Sequence, residues 1–334
     1  MQAYHLHRGQ GPAGLERCEL PTPPVGPHDV RVRVHAVSLN HRDLTIAAST
    51  APVPPHVPLS DGAGVVVAVG EAVTRLAVGQ RVMSNFFPRW ADGPPTPEKT
   101  AGALGGRGPG LLAEEVVLPE SAWVVLPDGL DFRQAATLPC AGVTAWNALF
   151  GDDPARPGDT VLALGTGGVS LWALQLGRAA GLRMIVTSSD EHKRERALAL
   201  GAFATINHRS MPDWAPRVRE LAGGRGVDRV LETAGRETLA RSMAATRHGG
   251  TVAVIGGTSG WGGEVDADAL IDGALRLRGV LVGSRAMAES LLRFVETAHF
   301  APLIDRVFPF GQARQAYEHL AAQQHFGKVL IEIG

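Results

Sequence analysis

Three side chains in the first quarter of the chain are of types that support hydride and proton chemistry. Asn40 stands in the segment SLNHRD, where Asp43 follows it, and Asp61 stands in LSDGAG. An asparagine amide can donate to an oxygen that gains negative charge, and a carboxyl group with a raised pKa can deliver a proton. We take Asn40, Asp43 and Asp61 as the candidate catalytic residues. Two alternatives stay open: Asn40 as a turn residue after a strand, and carboxylates that orient neighbours while solvent supplies the proton.

Cys140, in the segment LPCAGVT, is a candidate nucleophile by residue type. No histidine stands near it in the sequence to act as its base. A buried free cysteine commonly serves as a small apolar side chain. We expect that role for Cys140.

The segment TVLALGTGGVSLWALQLGRAAG predicts a strand over Val161–Leu164, a glycine turn and then a helix. At such a turn the first helical N–H groups are free to donate to a pyrophosphate, and glycine lets the backbone approach it closely. Ser170 stands where the dinucleotide fingerprint has its last glycine. The alternative is an α/β core that binds no nucleotide. The favoured interpretation is a dinucleotide site with pyrophosphate contacts at Gly165, Thr166, Gly167, Gly168 and Val169.

A second strand, predicted over Met184–Thr187, ends at Ser188, where NAD-preferring proteins carry an acid that binds the adenosine ribose. The hydroxyls of Ser188 and Ser189 and the ammonium of Lys193 can instead bind a 2′-phosphate. For Lys193 the alternative is one more exposed helix cation. We predict NADP(H) as the cofactor.

Composition narrows the remaining classes of protein. The 334 residues, 45% hydrophobic and 19% charged, suggest about two globular domains. A net charge of -1 disfavours nucleic-acid binding, and the basic cluster His192–Arg196 is interrupted by glutamates. The N-terminus lacks the order of a secretory signal, no apolar run predicts a membrane span, and two cysteines cannot form a disulfide framework. We expect a cytoplasmic protein without nucleic-acid or membrane partners.

The order of apolar patterns predicts two kinds of domain. The first part is β-rich, with DVRVRVHAVSLN, AGVVVAVG and QRVMS as strands. Residues Asn85–Gly110 predict a loop whose Phe86, Phe87 and Trp90 either wall a substrate pocket or pack on a small core of their own. From Val143 to Gly283 continuous apolar strands alternate with helices, which is typical of a parallel sheet buried on both faces. After a helix over Ser290–His299, the strand KVLIEI is expected to return to the first domain.

In this order the motifs GAGVVVAVG, VGQRV, PCAGVTAWNAL, GTGGVS and GKVLIEI resemble the medium-chain dehydrogenase/reductase superfamily over essentially the whole chain. Within it, the chain is similar to the zinc-free quinone oxidoreductase lineage. The resemblance implies an α/β fold with a Rossmann doubly wound parallel sheet domain over 142–284. That domain would be inserted into a β-rich GroES-like catalytic domain over 1–141 and 285–334.

The resemblance also bears on metal. At the positions that hold catalytic zinc in alcohol dehydrogenases this chain has Asn40, Ser60 and Cys140, and the four-cysteine structural zinc lobe is missing. One thiolate cannot hold a catalytic zinc, so we expect no metal. Without a Lewis acid, reduction of a plain carbonyl loses charge stabilisation at oxygen, whereas a conjugated acceptor spreads that charge.

Further site roles are implied by the same resemblance. Asn40 would lie beside the nicotinamide and substrate. Additional cofactor contacts are expected at His41, Thr144, His208, Thr233, Gly256, Thr258, Gly283, Ser284 and Lys328. His208 departs from the aromatic residue that relatives often have there, while His41 has a surface-loop alternative and Lys328 that of an ordinary edge lysine. A strand over Leu277–Val282 resembles the edge through which this superfamily pairs subunits, so a homodimer is expected.

Together these observations predict an NADPH-dependent, zinc-independent oxidoreductase that transfers hydride to a small apolar carbonyl, an enone or a quinone. Two alternatives remain: a zinc-free NADP-dependent alcohol dehydrogenase or ketone reductase, and a non-catalytic NADPH-binding protein.

Overall fold

The computed structural model describes residues 1–298 and 300–334, and its strands and helices follow in chain order. The strands are β1 Gln2–Leu6, β2 Leu15–Glu19, β3 Asp29–Leu39, β4 Asp61–Val69, β5 Arg81–Ser84, β6 Glu115–Pro119, β7 Trp123–Val125, β8 Thr160–Ala163, β9 Arg183–Ser188, β10 Ala204–Asn207, β11 Val227–Glu232, β12 Thr246–Val254, β13 Arg276–Gly279, β14 Ile304–Pro309 and β15 Lys328–Glu332. The helices are α1 His41–Ala48, α2 Pro97–Thr100, α3 Phe132–Ala136, α4 Val143–Phe150, α5 Gly168–Ala179, α6 Glu191–Ala199, α7 Ala215–Leu221, α8 Leu239–Ala245, α9 Ala267–Asp272, α10 Arg285–Ala298 and α11 Ala313–Ala321.

The described chain divides into two compact units, Met1–Val143 with Val282–Gly334 and Thr144–Leu281. The C-terminal segment therefore belongs to the first compact unit, and so do Gly283 and Ser284. The predicted helix Ser290–His299 corresponds to α10, although its last residue, His299, lies outside the described residues.

The first unit is built on a mostly antiparallel sheet with the strand order β14-β15-β3-β4-β5-β7, and β6 pairs with β3. In β3 the apolar residues Val30, Val32 and Val34 are buried, while Arg31 and Arg33 extend to the other face and approach Glu115. This two-residue period is what a half-buried strand requires. Strand β15 pairs antiparallel with β3, with Val329 opposite Leu39, so the C-terminal strand lies directly beside the residues that precede α1.

The second unit contains a parallel sheet with the order β10-β9-β8-β11-β12-β13 among the described residues. Counted from β8, this is the order 3-2-1-4-5-6 of a doubly wound dinucleotide-binding domain. Its core includes Leu162, Ile185 and Val230, which are 0% exposed. The predicted fold class, α/β with a Rossmann sheet and a β-rich GroES-like domain, is confirmed.

Two sequence expectations need correction. The predicted loop Asn85–Gly110 contains the short helix α2, which begins at Pro97. Proline suits the first position of a helix because an N–H there would have no acceptor within the helix. The strand expected over Leu277–Val282 covers Arg276–Gly279 instead, because residue Val282 has a φ of 49°, outside the extended region. Strand β13 is at the edge of its sheet, as expected.

The aromatic residues of the loop pack together. Phe86, Phe87 and Trp90 are 5%, 3% and 2% exposed, and the rings of Phe86 and Phe87 meet edge to face with centroids 4.7 Å apart. The Arg42 guanidinium lies 4.7 Å from the Phe86 ring centroid, which ties this cluster to α1. Of the two open interpretations, these contacts favour a small core of the loop's own.

Within residues 1–298 and 300–334, none of the helices has the length and apolar character needed to cross a membrane.

Candidate functional site

The glycine turn of the second unit joins β8 to α5. Gly165 has a φ of 78°, a conformation that glycine adopts without strain, and its N–H donates to Thr187 Oγ1 at 3.0 Å. Gly167 precedes the first helical residue with extended backbone, and a Cβ added there would have no atom within 4 Å. The N-terminus of α5 therefore faces open space, as the binding of a pyrophosphate requires.

The serine that replaces the last fingerprint glycine has its hydroxyl turned inward. Ser170 is 2% exposed, and its Oγ donates to the Leu164 carbonyl at 2.6 Å. Thr233 Oγ1 donates to the same carbonyl at 3.0 Å. Because the Ser170 hydroxyl is directed at the Leu164 carbonyl, just after β8, the side chain fits the turn without entering the open space at the N-terminus of α5.

Residues that follow the carboxyl ends of β11 and β12 meet. Thr258 donates to the Thr233 carbonyl through both its N–H and its Oγ1, each at 3.3 Å. A Cβ on Gly256 would lie 2.9 Å from that same carbonyl oxygen, so only glycine fits there. The structure thus brings Thr233, Gly256 and Thr258 together beside Leu164, at the sheet edge where doubly wound domains bind ligands.

At the end of β9 the structure adds two residues that the sequence interpretation missed. Ser188 is 4% exposed, and its Oγ accepts the Asp190 N–H at 3.2 Å. The Asp190 carboxylate caps α6 by accepting the Lys193 N–H at 2.9 Å. Arg209, just beyond His208, extends its Nη2 to 3.5 Å from Ser189 Oγ. Pairing of the two predicted strands could have identified Arg209. Strands β9 and β10 pair with Ser188 opposite Asn207, so the residues just beyond each strand are neighbours.

In the first unit, Asn40 is the residue before α1 and is 9% exposed. Lys328 Nζ donates to Asn40 Oδ1 and to the Leu39 carbonyl, each at 2.6 Å. Asn40 Nδ2 is buried and has no hydrogen-bond partner within the described protein. The amide therefore offers a free donor.

The two candidate carboxylates have different surroundings. Asp61 is fully buried, with Oδ1 accepting from Ser60 Oγ at 2.7 Å and Oδ2 from the Cys140 N–H at 3.0 Å. Asp43 accepts the Asn40 N–H through Oδ2 at 2.7 Å, while its buried Oδ1 accepts no hydrogen bond from the described residues. Burial raises the pKa of Asp43 to about 6, against the opposing charge of Arg42. Asp61 is thus engaged in orienting its neighbours, whereas Asp43 Oδ1, among the described residues, accepts no hydrogen bond and has only the ion pair with Arg42 Nη1 at 3.8 Å.

The donor set at the family's zinc positions does not suit zinc. The Asn40 oxygen faces an ammonium, the Ser60 hydroxyl is donated to Asp61, and burial together with the Asp61 charge raises the pKa of the Cys140 thiol well above its usual range. A zinc ligand must be the thiolate. In the part of the chain that the structure describes, no group of three His, Cys, Asp or Glu side chains is placed to hold a metal ion.

The remaining predicted cofactor residues lie as follows. His41 is the exposed first residue of α1, Thr144 is buried in α4, and Thr166 is buried in the glycine turn. Ser284 precedes α10, where its Oγ accepts the Met287 N–H at 3.2 Å. Gly283 is tightly packed, because a Cβ there would lie 2.7 Å from the Val143 side chain.

Comparisons with known proteins agree with this architecture. Residues 26–128 match the alcohol dehydrogenase GroES-like domain, and residues 168–297 match the zinc-binding dehydrogenase family. A zinc-type alcohol dehydrogenase-like protein of Schizosaccharomyces pombe is 42% identical over 95% of this chain and 94% of its own. A quinone oxidoreductase of Pseudomonas aeruginosa is 32% identical over 96% of each chain.

Solved structures are similar over the full length. A Sinorhizobium meliloti protein, provisionally named an alcohol dehydrogenase, has a TM-score of 0.93 and 42% identity over 99% of this chain and 98% of its own. An NAD-dependent alcohol dehydrogenase has a TM-score of 0.91 and 36% identity over 100% of both chains. A crotonyl-CoA carboxylase/reductase in complex with NADP has a TM-score of 0.90 and 27% identity over 99% of this chain and 94% of its own.

With its glycine turn, its doubly wound sheet and its full-length similarity to these proteins, the chain belongs to the medium-chain dehydrogenase/reductase superfamily as a quinone oxidoreductase-like oxidoreductase.

Proposed function

We propose that this oxidoreductase uses NADPH to reduce a small apolar quinone or α,β-unsaturated carbonyl without zinc. The observation that carries the proposal is the state of the three zinc-ligand positions. A zinc ion would need the Asn40 side-chain oxygen as a free ligand. The buried ammonium of Lys328 instead lies 2.6 Å from Asn40 Oδ1 and donates to it. An ammonium and a zinc ion repel each other, the Ser60 hydroxyl is donated to Asp61, and the single thiol of Cys140 cannot hold a catalytic zinc alone.

The polar groups of the first unit suit a conjugated acceptor. When bound, NADPH supplies the hydride, which adds to the β-carbon of an enone while the carbonyl oxygen gains negative charge. Asn40 Nδ2, a buried donor with no partner in the described protein, would donate to that oxygen. A proton delivered to the α-carbon, from solvent or from Asp43, completes a saturated carbonyl and NADP⁺.

The second unit supports the choice of cofactor. Gly165 and Gly167 leave the N-terminus of α5 open, while Ser188, Ser189 and Arg209 offer hydroxyls and a guanidinium for a 2′-phosphate. The crotonyl-CoA carboxylase/reductase neighbour was solved in complex with NADP. The NAD-dependent neighbour makes NADH the necessary comparison.

The deciding experiment compares acceptors of one carbon skeleton. NADPH consumption is measured with cyclohexenone, cyclohexanone and benzoquinone, and NADP reduction with cyclohexanol. We expect kcat/KM for the enone and the quinone to exceed that for the saturated ketone by about 100-fold, the difference expected from several kcal/mol of missing Lewis-acid stabilisation. Product analysis should give cyclohexanone rather than the allylic alcohol.

Other results would select the alternatives. Faster turnover of cyclohexanol or cyclohexanone than of the enone would make the protein a zinc-free alcohol dehydrogenase or ketone reductase. Tight NADPH binding with no turnover of any acceptor would make it a non-catalytic NADPH-binding protein.

We further propose a cytoplasmic homodimer. Strand β13 ends its sheet among the described residues, and near it Ile271 and Leu281 are 74% and 52% exposed. An open strand edge with exposed apolar side chains favours pairing with a second copy. Both cysteines are free thiols, as in a reducing compartment. Sedimentation analysis of the wild type and of Leu281→Glu tests the dimer, which the charged variant should dissociate.

A further inference from the structure

Lys328 begins β15 and is 3% exposed, although lysine is rarely buried so completely. Because Val329 lies opposite Leu39, the pairing of β15 with β3 brings Lys328 alongside Asn40. Its ammonium donates to Asn40 Oδ1 and to the Leu39 carbonyl, each at 2.6 Å. The lysine thus holds both the side chain of Asn40 and the backbone immediately before it.

The chemistry of this contact determines which way the amide faces. The two ends of an asparagine amide are alike in shape, so hydrogen bonds decide their assignment. An ammonium has three donors and no acceptor, so the amide atom that faces it must be the oxygen. Nδ2 is then directed away from Lys328, where it has no partner in the described protein.

We propose that Lys328 is a positioning residue that fixes the Asn40 amide with Nδ2 free to donate to the substrate oxygen. This inference rests on the proposed function of Asn40 and differs from the expectation that Lys328 binds the cofactor. Without Lys328, either end of the amide can take either direction, and half of the orientations present an oxygen to the charged substrate oxygen. Preorganised donors are what lower such a barrier.

The test is a double-mutant cycle of Asn40→Ala and Lys328→Met, measured with whichever acceptor the wild type reduces. Asn40→Ala should lower kcat by about 100-fold, the usual loss on removing one oxyanion donor. Lys328→Met should lower it by about twofold or more, because the freed amide still presents Nδ2 in about half of its orientations. The double variant should be no slower than Asn40→Ala alone, because Lys328 acts through Asn40. The dissociation constant for NADPH, from fluorescence titration, should change less than about threefold, because a residue that acts only through Asn40 makes no contact with the cofactor.

Lys99→Met is the matched control. Lys99 is also a lysine that donates to two backbone carbonyls, those of Asp92 and Pro94, but it lies in the short helix α2 and these hydrogen bonds are exposed to solvent. Its kcat should equal that of the wild type. If Lys328→Met does not fold, Lys328→Gln replaces it in the cycle, because a glutamine amide both donates and accepts and so does not fix which end of the Asn40 amide faces it.

A second readout does not depend on turnover. The side-chain amide resonances of Asn40, assigned with Asn40→Ala, should shift in Lys328→Met and stay in place in Lys99→Met. Unchanged resonances, additive losses of kcat, or a loss confined to NADPH affinity would each overturn the positioning role. Absence of turnover in the wild type would overturn the proposed function and leave the resonance result to decide the contact.

Discussion

Arg209 and Ser189 come within hydrogen-bonding reach across two neighbouring parallel strands, with Nη2 3.5 Å from Oγ. Each follows the paired residues Ser188 and Asn207 by one or two positions. The same place also holds the Asp190 carboxylate, which is committed to the first turn of α6. A guanidinium and a neighbouring hydroxyl can both donate to a 2′-phosphate, and the guanidinium also pairs with the negative charge of the phosphate. The ribose diol of NAD is neutral and gains nothing from that positive charge.

Arg209→Gln should therefore lower kcat/KM for NADPH by about tenfold, since a hydrogen bond to a charged group contributes about 1.5–3 kcal/mol and this one is exposed. The value for NADH should stay the same. Ser188→Asp should move the preference further towards NADH by repelling the 2′-phosphate. The matched control is Arg217→Gln, which removes an exposed arginine of α7 that forms an ion pair with Glu220. Equal losses with both cofactors would refute the phosphate site.

Gly167→Val should weaken NADPH binding by more than about tenfold and lower stability by only about 1 kcal/mol, the scale of an N-cap change. Gly167 has a φ of -81°, which any residue adopts, and its Cβ direction meets no atom within 4 Å. A valine there therefore meets no steric obstacle in the free protein but fills the space next to the helix N-terminus, where the pyrophosphate needs a close approach. Gly129→Val, another position with no atom within 4 Å of the added Cβ, is the control. Thermal unfolding and fluorescence titration measure the two quantities, and unaltered NADPH affinity in Gly167→Val would remove the turn from the cofactor site.

The glycine turn shows what local sequence can predict and what it cannot. Strand β8, the turn and α5 follow from adjacent residues, because apolar periodicity and glycine act over a few positions. The inward hydroxyl of Ser170 required knowledge of where the Leu164 carbonyl points. Lys328 and Asn40 are separated by 288 positions, so no local pattern links them, and only the register of β15 on β3 reveals their contact. Arg209 was within reach of sequence reasoning, through the pairing of the strands that precede it.

Purified protein should contain substoichiometric zinc, and 1,10-phenanthroline should leave its turnover unchanged. The reason is the donor set: an ammonium faces the Asn40 oxygen, and a thiol whose pKa is raised by burial occupies the third ligand position. A zinc-dependent alcohol dehydrogenase assayed in parallel should lose activity with the same chelator, which shows that the treatment works. Stoichiometric zinc in the metal analysis, with activity lost to the chelator and restored by Zn²⁺, would contradict the zinc-free proposal.

Asp43 should make the stability of the protein fall as the pH rises between about 4 and 6. Burial raises the pKa of this carboxyl from 3.8 to about 6, so the folded state holds its proton more tightly than the unfolded chain does. The resulting stabilisation is fully present below about pH 4 and is lost as the pH rises through about 6. At 1.36 kcal/mol per pKa unit, the wild type should lose about 3 kcal/mol relative to Asp43→Asn over this range.

Asn in this position keeps an acceptor for the Asn40 N–H but does not titrate. Asp128→Asn, at an exposed site, should show no such trend in denaturant unfolding measured across the same pH series. The free energy of unfolding of the wild type could instead differ from that of Asp43→Asn by the same amount at every pH. The Asp43 carboxyl would then be ionised throughout, and Asp43 would be excluded as the source of the proton.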